Sequence, residues 1–161
     1  MKYTEENLTK RVENAVELFK SGYNCSQAVV AAYADLYGFT KEQALKMSAS
    51  FGGGIGRMRE TCGAACGLFL VAGLEKGAVE ATDRAGKSAT YALVQDLSKK
   101  FEQINGSTCC AELLGLRDKK NLSPEAAERT KEYYAKRPCA KMVESAAQLW
   151  ADYLLENNKE D

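Results

Sequence analysis

Residues 51–76 read FGGGIGRMRETCGAACGLFLVAGLEK, and this stretch decides the fold. Gly52, Gly53, Gly54 and Gly56 stand too close together for a regular helix, so residues 51–60 read as a loop. Thr61 then opens a segment, CGAACGLFLVAGLEK, that is apolar on nearly every face of a helix. A helix without a polar face belongs in the centre of a bundle, surrounded by others. No run alternates convincingly with period two, so no sheet is expected. The fold class expected is all-α: a single-domain helical bundle of about six to seven helices, with a Gly-rich loop before the central Cys62 helix.

The flanking sequence supplies the surrounding helices. Residues 5–20 place Leu8, Val12, Val16 and Leu18 or Phe19 on one stripe, with Thr4 as cap and Gly22 as stop. Asn24 caps CSQAVVAAYADLY, which stops at Gly38, and Thr40 caps KEQALKMSAS. Thr82 opens a long helix through about residue 104, halted by Asn105 and Gly106. Cys110 begins the short segment CAELLG. Ser123-Pro124-Glu125 supplies a cap, a proline at the first position and an acid, which predicts a helix running to near Arg137. Pro138-Cys139 opens the last helix, and the tail over 157–161 is expected to fray. No linker or repeat divides residues 1–161, so one domain is expected.

Composition narrows the function. The chain has 161 residues, 45% hydrophobic and 27% charged, the profile of an ordinary globular protein. Lys+Arg and Asp+Glu both number 22, which argues against nucleic acid as a partner because phosphate binding calls for a positive field. No apolar N-terminal stretch resembles a signal peptide, and no window approaches the roughly 18–20 apolar residues of a membrane span. The expected location is the cytoplasm, with no membrane partner. Structural disulfides are rare there, so cysteines are more often metal-binding, catalytic or simply buried.

There are six cysteines and no histidine. Without His the commonest general base is missing, which turns the reading away from hydrolase chemistry. Cys25, Cys62, Cys110 and Cys139 each fall where a helix is expected to start. A helix N-terminus offers unpaired N–H groups and partial positive charge, which favour a thiolate. Buried cysteine is common enough to explain any one of these; it does not explain four at helix starts. The set predicts a converging sulfur site, suited to an iron–sulfur cluster or another soft metal. No CxxC is present, so a zinc ribbon or thioredoxin-type couple finds no support, and neither CxxCH nor the bacterial ferredoxin run occurs.

Cys66 lies one turn after Cys62 and reads first as filler in an Ala/Gly-rich helix, second as a ligand or redox neighbour. Cys109, adjacent to Cys110, is a secondary candidate as a resolving thiol. The glycines of the loop, Gly52, Gly53, Gly54 and Gly56, together with Gly63, are candidates to line the site, because glycine lets backbone approach a cluster or anion closely. The loop is neither a dinucleotide fingerprint, since Arg57 occupies the third glycine position, nor a P-loop. Arg57, Arg59 and Glu60 either stabilise negative charge or pair on the surface. Tyr23 and Tyr91 are possible lining residues, and Trp150 is expected in the core.

NCSQAV at Cys25, FGGGIGRMRETCGAACG at Cys62, CAELLG at Cys110 and PCAKMV at Cys139 together resemble the redox-active protein family named for its C-GCAxxG-C-C cysteine pattern. The resemblance covers roughly residues 20–150. It departs in two places: Cys62-Gly63-Ala64-Ala65-Cys66-Gly67 matches as CGAxxG, and Cys66 and Cys109 are extra and inherit no role. The resemblance implies a small helical redox protein using Cys25, Cys62, Cys110 and Cys139. A similar domain occurs in split-Soret multihaem cytochromes, whose helical part is thought to hold an iron–sulfur cluster; their haem-binding part has no counterpart here.

Three readings follow. The first is an iron–sulfur electron-transfer protein, [2Fe–2S] favoured, with an unidentified redox partner protein. The second is metal-free thiol–disulfide chemistry on the same cysteines, with a partner protein or small thiol. The third is a non-catalytic helical scaffold or structural zinc protein. A homodimer is possible in each, and whether the chain is an enzyme stays open.

Overall fold

The computed structural model describes residues 2–116 and 122–160. Among them lie eight α-helices: α1 (Glu5–Lys20), α2 (Cys25–Tyr33), α3 (Lys41–Ser48), α4 (Gly63–Lys76), α5 (Arg84–Asn105), α6 (Cys110–Leu113), α7 (Lys131–Lys136) and α8 (Cys139–Glu156). Helices α1–α5 and α8 carry the bundle; α6 and α7 are short additions of four and six residues.

Local sequence sets most of the boundaries. Thr4 accepts from the Asn7 N–H at the start of α1. Asn24 and Thr40 each close a capping box, with Gln27 and Gln43 returning the second hydrogen bond. Asp83, one residue after Thr82, caps α5 through the Gly86 N–H. Gly38 and Gly106 end their elements at φ +82° and +93°, a left-handed conformation that suits glycine.

Helix α4 is the axis, packed against α2, α8 and α5, while α1 closes over α2 and α8. Gly67 brings α2 and α4 together: a Cβ there would sit 2.9 Å from Val29 Cβ and 3.1 Å from the Ser26 carbonyl. One core cluster gathers Phe19, Val29, Tyr33, Leu68, Val71, Phe101, Val143 and Trp150. Trp150 is wholly buried, and removing a side chain of that size from water is worth about 4 kcal/mol. Its indole N–H donates to the Tyr37 hydroxyl at 3.2 Å.

Two expectations are corrected. Residues 122–130 are not helical despite the Ser123-Pro124-Glu125 start; the helix begins only at Lys131, capped by Thr130. The stretch PEAAERT offers no apolar stripe to bury, and most helical stability comes from such a stripe. The tail is also tied down further than expected. Residues Asn157–Glu160 form a 3₁₀ turn. Asn158 is buried, accepting from the Lys2 and Tyr3 N–H groups at 2.8 and 3.0 Å and donating to the Tyr3 carbonyl at 2.6 Å.

One β-type pairing crosses the loops. Thr61 and Cys109 form an isolated antiparallel bridge. Around it the Cys62 N–H donates to the Thr108 carbonyl at 2.7 Å, and the Cys110 N–H to the Glu60 carbonyl at 2.6 Å. This tie holds the start of α4 beside the start of α6. No helix among the described residues is long and apolar enough to cross a membrane.

Candidate functional site

Cys25 and Cys139 are the first residues of α2 and α8, Cys110 is the first of α6, and Cys62 is the residue that caps α4. All four line one cavity of about 60 Å³, with Gly53, Gly54, Gly63 and Arg59 in its wall. Gly52 and Gly56 line the neighbouring cleft instead.

The glycine loop forms this wall by an unusual path. Residues 53–57 all have φ between +57° and +73°, and Arg59 stands at +62°. L-residues enter this left-handed region at a cost of about 1–2 kcal/mol each, so Ile55, Arg57 and Arg59 are strained. Long-reaching backbone bonds hold the loop: Gly56 N–H to Ser50 carbonyl at 2.7 Å, and Glu60 N–H to Gly54 carbonyl at 2.8 Å. The path presses Gly54 against α6, where a Cβ would lie 2.5 Å from Cys110 Cβ. At Gly63 a Cβ would meet the Phe51 carbonyl at 2.9 Å and Cys25 Cβ at 3.3 Å.

Position at a helix start does not lower every thiol. Hydrogen bonding to Cys139 and burial push Cys25 well up. Burial pushes Cys62 up to about 12 against the α4 N–H groups, and it raises Cys110 against the pull of Arg59. Cys139 alone goes down: Cys25 donates to it, and Arg137, Arg129 and Arg59 add positive field. At Cys62 and Cys110 desolvation therefore outweighs the N–H groups and positive charge of their helix starts, and at Cys25 the hydrogen bond to Cys139 does so first, contrary to the simple expectation.

The secondary candidates point elsewhere. Cys66 is buried off the cavity and contacts the Thr61 carbonyl at 3.8 Å, with burial raising it to about 11. Cys109 contacts the Arg59 carbonyl at 3.7 Å and is absent from the cavity wall. Tyr23 and Tyr91 do not reach the cavity either; Tyr133 does. Arg129, Tyr133 and Arg137 were not singled out by the sequence. The signal for Arg137 was its place immediately before Pro138-Cys139; Arg129 and Tyr133 gave none.

The donor chemistry, four thiols around one cavity, suits a thiophilic centre. Among the described residues, no three His, Cys, Asp or Glu side chains are gathered closely enough to hold one metal ion. A single zinc needs four ligands on one ion, so this arrangement fits a mononuclear site poorly. Cys25 and Cys139 are joined by a hydrogen bond, and Cys62 and Cys110 face the same cavity beside them.

A family model described as "Putative redox-active protein (C_GCAxxG_C_C)" matches residues 23–153. The chain belongs to this family. The match contains all four cavity cysteines and the whole glycine loop. No curated protein and no solved structure matches the chain.

Proposed function

We propose that this chain is an electron-transfer protein in which Cys25, Cys62, Cys110 and Cys139 hold a [2Fe–2S] cluster. The observation that carries this reading is the lining of one cavity by four cysteines, each at the start of a different helix. Such a cluster takes two thiolates on each iron, unlike a single zinc, which takes all four on one ion. When bound, it supplies a one-electron couple within the range typical of protein iron–sulfur centres.

The chain's own residues serve that role in distinct ways. Gly54 and Gly63 keep side chains out of the space beside Cys110 and Cys25. Arg59 brings a buried positive charge to the sulfurs, its Nη1 lying 3.8 Å from Cys110 Sγ. Four thiolates in a low-dielectric cavity repel one another, and a fixed guanidinium offsets part of that repulsion. The burial of Cys25, Cys62 and Cys110 keeps water from them. The electron partner is a redox protein or a small thiol.

The hydrogen bond between Cys25 and Cys139 favours a second reading, metal-free disulfide exchange. The Cys139 thiolate attacks a partner disulfide and releases one partner thiolate. The Cys25 thiol then gives up its proton, attacks the mixed disulfide and releases the second, leaving Cys25–Cys139 oxidised and the partner reduced by the same two electrons.

Anaerobic purification followed by a visible spectrum, with iron, zinc and acid-labile sulfide assayed on the same sample, decides between them. Iron and sulfide in equal amounts, both lost in Cys62→Ser and Cys139→Ser, is the expected result. Colourless protein without iron, forming a reversible Cys25–Cys139 disulfide by mass spectrometry, replaces it with the second reading. Zinc in place of iron overturns both.

A further inference from the structure

Beside the cysteine cavity lies a second, larger recess that the proposed redox role does not use. It is an open cleft of about 460 Å³ between the glycine loop and the extended stretch before α7. Its volume falls within the range of small-molecule sites. Four arginines line it: Arg57, Arg59, Arg129 and Arg137. In a chain of zero formal net charge this is a marked local concentration of positive charge.

None of the four arginines forms an ion pair with a carboxylate among the described residues. Arg57 donates to the Ser123 carbonyl at 2.7 Å. Arg129 donates to the Phe19 and Tyr23 carbonyls at 3.3 and 3.1 Å. The guanidinium groups of Arg129 and Arg137 lie 4.8 and 4.9 Å from the centre of the Tyr133 ring. Carbonyls and a ring hold Arg57, Arg129 and Arg137 in place, and no carboxylate among the described residues neutralises them. Arg57 is pushed down by burial and then by repulsion from Arg59 and Arg137, partly offset by Tyr133 and Glu125.

Arg59 is the decisive residue. It is only 5% exposed, and its Nε has no hydrogen-bond partner among the described residues. A buried, unsatisfied guanidinium N–H is costly, and none of the described residues supplies its partner. The backbone at Arg57 and Arg59 is held in the left-handed region, at φ +61° and +62°. Strain of this kind concentrates where a chain must aim particular groups.

From this geometry we infer that the arginine cleft binds a small organic anion carrying two or more negative charges, on phosphate or carboxylate groups. Planar guanidinium groups match both anions with paired hydrogen bonds. A concave cleft whose central charge is buried suits a small molecule rather than the acidic face of a protein. Arg59 belongs to the walls of both recesses, so a ligand in the cleft sits against the same guanidinium that reaches Cys110. The inference does not rest on the redox reading, because the binding groups are side chains of the protein itself.

The test is isothermal titration of the iron-free full chain with pyrophosphate and, separately, with citrate, in low-salt buffer. Saturable binding at one site is expected for at least one probe; whichever binds tighter identifies the preferred anionic group. Arg57→Gln, at the partly exposed rim, weakens it by roughly ten- to a hundredfold, the loss of one charge-assisted contact. Arg11→Gln, which removes a cation paired with Asp35 outside the cleft, leaves it unchanged. No saturable binding of either probe overturns the inference. So does equal weakening by Arg57→Gln and Arg11→Gln, which means diffuse attraction rather than a site. Iron and sulfide content do not enter this titration, so its failure is separate from failure of the cluster reading.

Discussion

Two buried regions of this molecule treat polar atoms in opposite ways. Around Trp150 each polar group finds a partner: the indole N–H meets Tyr37, and the Tyr33 hydroxyl donates to the Ala147 carbonyl at 2.7 Å. Around the cysteines the Arg59 Nε has none, the thiols are weak hydrogen-bonding groups, and the adjacent loop is strained at Ile55, Arg57 and Arg59. Neighbouring Ser26 also leaves its buried hydroxyl without a partner. Satisfied burial stabilises a fold. Strain and unpaired polarity persist only where the surroundings hold them, and such places concentrate at functional sites. The contrast separates the part of the chain that maintains the bundle from the region around the four cysteines, where strain and unpaired polarity collect.

The comparison breaks most visibly at Trp150. Trp150→Ala removes the largest fully buried side chain and is expected to cost about 3–5 kcal/mol in urea unfolding. Below its unfolding midpoint the variant should still bind pyrophosphate, because the residue lines neither recess. A selective loss of binding in folded protein would show that the two regions are not separable.

Gly54→Ala attacks the other region. The new methyl meets Cys110 Cβ at a separation no real pair adopts, from a backbone at φ +73°. Overpacking and left-handed strain together are expected to cost about 2–3 kcal/mol and to change the alkylation rate of Cys110, read by mass spectrometry. A neutral result would mean that the loop yields easily, which would remove the case for a rigid wall.

The smallest expected effect has the opposite sign. Ile55→Gly replaces a β-branched residue at φ +64° and is expected to raise stability by about 1 kcal/mol, measured by the same unfolding experiment. Destabilisation instead would show that packing of the Ile55 side chain outweighs its backbone strain.

Much of the bundle was legible because its signals are local. Thr4, Asn24 and Thr40 announce their helices through cap hydrogen bonds, and the all-round apolar character of residues 63–76 announces the axis. Where local and tertiary signals disagree, the sequence misleads. Ser123-Pro124 has the form of a cap, yet nothing after it supplies an apolar stripe, and Arg129 is drawn instead onto the Phe19 and Tyr133 rings. That the four cysteines stand at helix starts was readable from the sequence; their proton affinities were not, because burial depends on what packs around them. The Thr61–Cys109 bridge leaves no periodic trace, since a pairing this short has no alternation to detect. The arginine cleft draws on residues 57, 59, 129 and 137, which only the tertiary fold brings together.

The backbone tie between Thr61 and Cys109 has a bearing on the order of folding. It closes a loop containing all of α4 and α5, and the cavity beside it then waits for Cys139 at the head of the final helix. Contacts so distant along the chain form late, after their loop-closure entropy has been met. With α8 undocked, Cys25, Cys62 and Cys110 stand without the Cys139 wall and no chamber is closed. Completion of the chamber therefore waits on the docking of α8, and a chain in which α8 is misplaced has no finished chamber.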